Sequence, residues 1–353
     1  MRKRREKLRA LMAQRGIPAA LITKPENMRY LTGYTGEGAV YLDQSQAAIL
    51  TDFRYVEQAG RQAGDCPCLK TDAQRKLPQG VKELLGAQGG LAVETGHMTV
   101  KAYRELESAL PGVELMEMQN LPEALRMVKE PFEQDKILRA SEIACRAFDQ
   151  LLGIIGPGMT ELEVRRLLDD LMVQGGSEEA AFSTIACAGV NGSLPHAVAS
   201  EHRLEKGELL TLDFGAQVEG YKTDMTRTVA IGPVSGALEK IYATVLEAQL
   251  RALEAIEPGK VCRDIDQVAR RVIDPAYPGA FGHGLGHGVG LEIHEAPNFS
   301  STCDTVLEAG HVMTVEPGVY IQGLGGCRIE DTVILRPGGY VNVITAPKEL
   351  ITL

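Results

Sequence analysis

The sequence predicts two domains of different class: an α/β domain over residues 1–125 and an α+β domain over residues 126–353 made of two similar halves. Three observations predict this. The chain has 353 residues, longer than one hydrophobic core usually grows. Its first part alternates short runs of strand type with helix-length runs, the α/β pattern. Beyond the boundary segment LPEALRMVKEP, bracketed by Pro122 and Pro131, helices followed by strands occur twice. That rhythm is one of elements, not of residues, and it suggests two halves enclosing something between them.

The elements follow in order. MRKRREKLR opens the chain, with Leu8, Leu11 and Met12 at helical spacing behind it, and reads as an N-terminal helix with a solvated basic face. AALIT (19–23), AVYL (39–42), AAILT (47–51) and LAVE (91–94) read as strands, FRYVEQAGRQA (53–63) and TVKAYRELESAL (99–110) as helices. A long helix is expected from about Phe132 to Ile155. Thr160 and Glu163 form a capping box for the next, which stops at Gly175-Gly176. Strands are expected near 183–188, 208–216 and 221–231, helices near 236–256 and 264–273, and strands again near 283–292, 311–316 and 327–335.

Composition excludes several function classes. The chain is 44% hydrophobic and 24% charged, ordinary for a soluble globular protein. A net charge of −10 argues against sequence-independent nucleic-acid binding, which needs clustered cations. No apolar run follows the basic N-terminus as a signal peptide requires, and none approaches the ~18 residues of a membrane span. The seven cysteines, including Cys66-Pro-Cys68, form no paired framework. Reduced thiols in a cytoplasmic protein are the expectation.

HGLGHGVGLEIHEAP (283–297) holds three histidines and four glycines. His283 and His287 have the spacing of two ligands on one helix face, but the glycines between them disfavour a helix. His283, Leu285, His287, Val289, Leu291 and Ile293 alternate with glycine and polar residues as in a strand. At ~3.3 Å per residue the two histidines then stand about 13 Å apart, so one ion can take one of them, hardly both. Bare glycines on the opposite face let another backbone or a substrate come close.

The acidic residues supply the remainder. In ELLTLDFGAQVEGYKTDMTRTV (208–229), Asp213 lies in an apolar strand and Glu219-Gly220 is a turn signal. Asp213 and Asp224 therefore fall on neighbouring antiparallel strands, opposite or diagonal, close enough to share an ion. VMTVEPGVY places Glu316 at the end of an apolar strand, and CRIEDTVIL places Glu330 inside another, where an ion pair with Arg328 is the plain alternative. Buried carboxylates are costly unless paired or on a metal. Four of them carry about −4, which one divalent ion half neutralises and two neutralise fully. The expectation is two carboxylate-bridged ions ~3.5–4 Å apart. Hard oxygens with one imidazole suit Mn²⁺ best, then Co²⁺ or Zn²⁺.

TLDFGAQVEGYKTDMTRT, GHGLGHGVGLEIHEAP, TVEPGVY and RIEDTV together resemble, in order and context, the motifs of the pita-bread metallopeptidases. NMRYLTGYTG, TDFRY and SLPHAV resemble the Xaa-Pro branch, prolidase and aminopeptidase P, with its creatinase-type N-terminal domain. The resemblance implies a creatinase-like N-terminal domain and a pita-bread catalytic domain. It implies Asp213, Asp224, His287, Glu316 and Glu330 as metal ligands, with Glu316 also relaying a proton from metal-activated water. It implies His196 and His294 as catalytic contacts to substrate and oxyanion, and His283, Tyr320 and Arg328 as substrate-binding residues. The strand register does not bring His294 to the site without a bend. His202 and His311 match nothing and read as surface residues. The implied function is hydrolysis of the bond before proline, in Xaa-Pro dipeptides or, as the alternative, in longer peptides as by aminopeptidase P. The compact N-terminal domain favours the dipeptidase. A non-catalytic pita-bread binding protein is the reading from another class, and the full ligand set argues against it. Family members are commonly homodimers.

Overall fold

The structure, a computed structural model, describes residues 1–353. The chain folds into two compact units, Met1–Arg126 and Met127–Leu353.

In the first unit, β1 (Ala19–Ile22), β2 (Ala39–Asp43), β3 (Ala47–Asp52), β4 (Cys68–Thr71), β5 (Gly90–Val93) and β6 (Glu114–Glu117) form one sheet in the order β4-β3-β2-β1-β5-β6. β1, β2 and β3 are an antiparallel meander, while β3–β4, β1–β5 and β5–β6 are parallel. Parallel neighbours need crossovers, and α3 (Val56–Gln62), α4 (Leu77–Leu85) and α5 (Val100–Ala109) lie between the later strands in sequence. Leu21, Tyr41, Leu50, Val81, Leu91 and Leu106 form the core against one face. Helix α1 (Arg2–Gln14) departs from the solvated basic face read from sequence. Arg4 and Arg5 are 2% and 4% exposed. Arg4 donates to the Tyr30 carbonyl and covers the Tyr30 ring, and Arg5 donates to the Leu31 carbonyl and to Asp65. Both arginines thereby satisfy the end of α2 (Pro25–Thr32), whose last carbonyls have no partner within the helix. A short α6 (Leu121–Arg126) ends the unit.

The second unit is built twice over. Its first half runs α7 (Pro131–Leu152), α8 (Glu161–Gln174), β7 (Ile185–Ala188), β8 (Glu208–Phe214), a ribbon of β9 (Gln217–Val218) and β10 (Tyr221–Lys222), then β11 (Met225–Ile231). Its second half runs α9 (Gly236–Ala255), α10 (Cys262–Ile273), β12 (Gly286–Gly288), β13 (Glu295–Phe299) and β14 (Val312–Val315). A second ribbon, β15 (Gly318–Ile321) with β16 (Gly325–Arg328), precedes β17 (Asp331–Arg336) and β18 (Gly339–Asn342). The sheets are β11-β8-β7 and β13-β12-β14-β17-β18. Each half thus interrupts a central antiparallel pair, β8–β11 or β14–β17, with a two-stranded ribbon. The first ribbon turns at Glu219 and Gly220, with φ of 46° and 72°, as a tight hairpin requires. The second half buries Ile241, Val245, Ala252 and Ile265 of α9 and α10 with Met313, Val315 and Val333 of the sheet. No helix is long and apolar enough to cross a membrane.

Candidate metal centre

The two ribbons explain where the carboxylates fall. Asp213, on β8, is paired with Thr226 of β11, so Asp224, two residues before Thr226, lies diagonal to it. In the other half the last β14–β17 pair is Val315 with Asp331, and Glu316 and Glu330 are the next residues outward. Glu330 therefore sits at the joint between β16 and β17, not inside one strand as the sequence suggested. Each half delivers one carboxylate where the chain leaves for its ribbon and one where it returns. Alternation of apolar residues in β8 and β14 buries these strand ends, and the polar groups are carried inward with them.

His287 comes from β12, beside β14. Of the predicted 283–292 strand only Gly286–Gly288 is regular, and the reason lies in the glycines. A Cβ on Gly286 would stand 2.1 Å from the Thr314 carbonyl oxygen, and one on Gly288 2.7 Å from that of Ala296. The bare positions admit neighbouring backbone on both sides of His287. His287 Nδ1 lies 3.0 Å from the Gly288 carbonyl oxygen and donates to it, so Nε2 keeps its lone pair. Nε2 faces Glu316 Oε1 at 3.2 Å and Asp224 Oδ2 at 3.6 Å. Ligand atoms of Asp224, His287 and Glu330 lie within 4.8 Å of one another.

Hydroxyls and one guanidinium hold the carboxylates. Thr226 Oγ1 donates to Glu330 Oε2 at 2.7 Å, and Thr314 Oγ1 to Glu316 Oε1 at 3.1 Å. Arg328 pairs with Asp213 Oδ2 at 2.6 Å, not with Glu330. One oxygen of each of Asp213, Asp224 and Glu330 is nonetheless buried with no hydrogen-bond partner. Three orphaned carboxylate oxygens beside an imidazole lone pair are a donor set for a hard divalent cation. The charges agree. Burial, then the neighbouring carboxylates, push the Asp224 and Glu330 carboxyls well above their ordinary range. Burial would raise Glu316 too, but His287, His283 and Arg328 hold it down, to about 2. Burial lowers the His287 imidazole, yet Glu316 outweighs it and the net shift is upward. The site draws positive charge, and its residues fit a metal.

A cavity of about 850 Å³ opens over the centre, lined among others by Phe182, His196, Ile293 and His294.

Residues 135–337 match the model of metallopeptidase family M24. The chain belongs to this family. Residues 4–128 match the creatinase/prolidase N-terminal domain, so the creatinase-type and pita-bread folds expected from the motifs are those the chain has. A Pyrococcus furiosus protein named Xaa-Pro dipeptidase is 36% identical, covering 99% of this chain and all of its own. The structure of an Xaa-Pro dipeptidase from Bacillus anthracis superposes with a TM-score of 0.96 at 39% identity, covering 99% of each chain. An X-Pro aminopeptidase from Thermotoga maritima superposes with 0.88 at 34%, covering 96% of this chain and 98% of that one.

Of the remaining predicted residues of this M24 chain, His196, His283, His294 and Arg328 line the same cavity, and Tyr320 stands behind it, bonded to two of them. The bend that His294 needs is present: register shifts between His287 and Gly288, and residues 290–294 turn back so that the His294 ring lies 4.3 Å from that of His287, edge-on. Arg328 Nη1 donates to the Tyr320 hydroxyl at 2.7 Å, and that hydroxyl donates to His283 Nε2 at 2.9 Å. Arg328 is 3% exposed, its other donors going to Thr226, Pro195 and Asp213. His196 lines the cavity and is exposed. His202, partly exposed, pairs with Glu208. His311 is a correction: it is 0% exposed. Glu308 and Ala309 of the turn face solvent, but Gly310 and His311 are buried where the chain enters β14, and His311 Nδ1 accepts from the Glu308 amide.

Sequence reasoning missed Thr226 and Thr314, whose only signal is their place two residues from a candidate ligand, Asp224 and Glu316 respectively, along the chain. It missed Glu161 as well, which reads as a first-turn helix acid.

Proposed function

We propose that this M24 protein is a metal-dependent Xaa-Pro dipeptidase that hydrolyses the bond before proline. The observation that carries this is the grouping of Asp224, His287 and Glu330 ligand atoms within 4.8 Å of one another, with Glu316 against His287 and one buried, unpartnered oxygen on each of Asp213, Asp224 and Glu330. The names of the Pyrococcus and Bacillus relatives support the substrate class. The four carboxylates support two divalent ions, with Asp213, Asp224, His287, Glu316 and Glu330 holding them, and their hard oxygens support Mn²⁺. When bound, such ions supply Lewis acidity toward water and the scissile carbonyl.

The residues do the rest. Glu316, kept ionised by the groups around it, is the carboxylate in place to take a proton transiently from the attacking water. His294, lowered by burial and by His287, is neutral there and offers an N–H to charge developing on the carbonyl oxygen, as does His196. A donor so placed is worth about 3 kcal/mol in comparable sites. Tyr320 fixes His283 with its Nε2 as acceptor, so His283 meets the substrate as a rigid, neutral ring. Proline's imide nitrogen has no hydrogen to donate, and recognition rests on ring shape and on whatever follows the proline. The proposal divides the domains at 125/126 and includes a homodimer, supported by the family resemblance, and a cytoplasmic location, supported by the seven cysteines without a paired framework.

The test is hydrolysis of Ala-Pro, Ala-Pro-Ala and a longer Ala-Pro peptide at equal concentration, with metal analysis after reconstitution with Mn²⁺, Co²⁺ or Zn²⁺. Cleavage of Ala-Pro with about two ions per chain is the expected result, with hydrolysis and tight binding of at least one ion lost in Asp213→Ala or Glu330→Ala. Cleavage of only the longer peptides overturns the dipeptidase in favour of an aminopeptidase. No bound metal overturns catalysis in favour of a binding protein.

A further inference from the structure

Glu161 is the second residue of the Thr160–Glu163 capping box, yet it takes no part in the cap, which Thr160 and Glu163 complete between themselves. Its side chain is 0% exposed. Oε1 accepts from the Ala188 amide at 2.7 Å. Oε2 accepts from Asn191 Nδ2 at 2.7 Å, from the Ser200 amide at 2.9 Å and from Ser200 Oγ at 2.7 Å. The backbone of α8 adds Glu161 N to the His202 carbonyl and Leu162 N to the Ser200 carbonyl. The segment between β7 and β8 leaves at Ala188, passes His196 and returns by Ser200. One carboxylate therefore holds both of its feet. Arg328 holds the crown through the Pro195 carbonyl.

His196 has no hydrogen bond of its own, so the loop alone sets where its imidazole stands over the cavity. We infer that Glu161 is a positioning residue, whose buried carboxylate clasps the 188–200 loop and thereby aims His196 at the substrate. This rests on the proposed Xaa-Pro hydrolysis. The chemistry asks for a carboxylate in particular. Four N–H and O–H donors converge on two oxygens, and an amide in their place would turn an –NH₂ toward one of the donors. A buried carboxylate held only for fold would be a costly choice, since the helix end is already capped.

The experiment is a double-mutant cycle on the metal-reconstituted enzyme with Ala-Pro, paired with peptide-resolved hydrogen exchange. Glu161→Gln is expected to lower kcat/KM by about tenfold or more, the loss of a charged hydrogen-bond set. In a His196→Ala background the same change is expected to cost less than about twofold, because both act through one imidazole. Exchange at Ala188 and Ser200 is expected to rise about tenfold while α8 stays protected. Losses that multiply independently, or unchanged kcat/KM in Glu161→Gln, overturn the inference. Where Glu161→Gln fails to fold, the pair Asn191→Ala and Ser200→Ala removes the side-chain donors from the other side, with the same expectations. If the wild-type enzyme cleaves no Xaa-Pro peptide, the functional reading fails on its own, and the exchange at Ala188 and Ser200 alone decides the clasp.

Discussion

His283 and His287, four residues apart, are fixed in the same tautomer and turned to different work. Each has its Nδ1 against a backbone carbonyl, of Gly284 and Gly288 respectively, which leaves Nε2 as the acceptor. At His287 that lone pair looks at Glu316 and Asp224. At His283 it is already taken by the Tyr320 hydroxyl. His287→Ala is therefore expected to lower metal occupancy, measured by elemental analysis after dialysis. His283→Ala is expected to keep the metal and lose about 10- to 100-fold in kcat/KM, the range of one or two neutral or charged hydrogen bonds. Equal metal loss in both would show that His283 reaches the ions. At this scale the sequence was legible where chemistry and setting disagree: Asp213 and Glu316 stand out as carboxylates amid apolar residues. His311 was not legible, because a histidine after Gly310 looks like any turn residue, and it is buried only because it stands where the exposed turn passes into the buried strand β14. Arg4 and Arg5 escaped for a related reason, since their partners are carbonyls of another helix, which no side-chain pattern records.

Between β13 and β14 the glycines of β12 act as a gap one side chain wide. Gly286→Ala would bring a methyl against the Thr314 carbonyl, where the contact would be 2.1 Å, and β14 cannot yield because it is paired with β17 on its far side. β12 would move instead, carrying His287 with it. The expected outcome is a destabilisation of about 1–3 kcal/mol together with a loss of metal-induced thermal stabilisation. A variant that melts lower but keeps the full metal increment would show that His287 does not move with the strand. Elements with a strong period were readable: α7, α9 and the capped α8 lie within a few residues of their expected bounds. β4 and β6 were not, because CLKT and ELME sit at sheet edges, half exposed, and carry no buried stripe. The halving of the second unit was visible as a rhythm of elements. The ribbons beside the candidate ligands were not, since strands of two residues in one ribbon and four in the other leave little periodicity to count.

For the molecule as a whole, His311 ties stability to pH. Burial, with the Lys129 charge second, pushes its imidazole from 6.5 down to about 4. The folded form resists the proton that the unfolded chain accepts, so this contribution is complete above about pH 6.5 and is lost as pH falls toward 4. The loss is on the order of 3 kcal/mol. Urea midpoints taken from pH 7.5 to 4.5 should fall less steeply in His311→Gln than in the wild type, and parallel slopes would remove His311 from the account. Finally, the division of the ligands between two halves has a consequence in time. Asp213 and Asp224 leave the ribosome together, whereas Glu330 follows about a hundred residues later, roughly 5–20 s at ordinary synthesis rates. Over that interval the nascent chain holds an incomplete set, at first the two aspartates alone and later His287 and Glu316 with them. Loading of the complete centre is therefore an event of the nearly finished polypeptide, after Glu330 has emerged, and a chain stalled between the halves offers only two of the five proposed ligands however well its first half has folded.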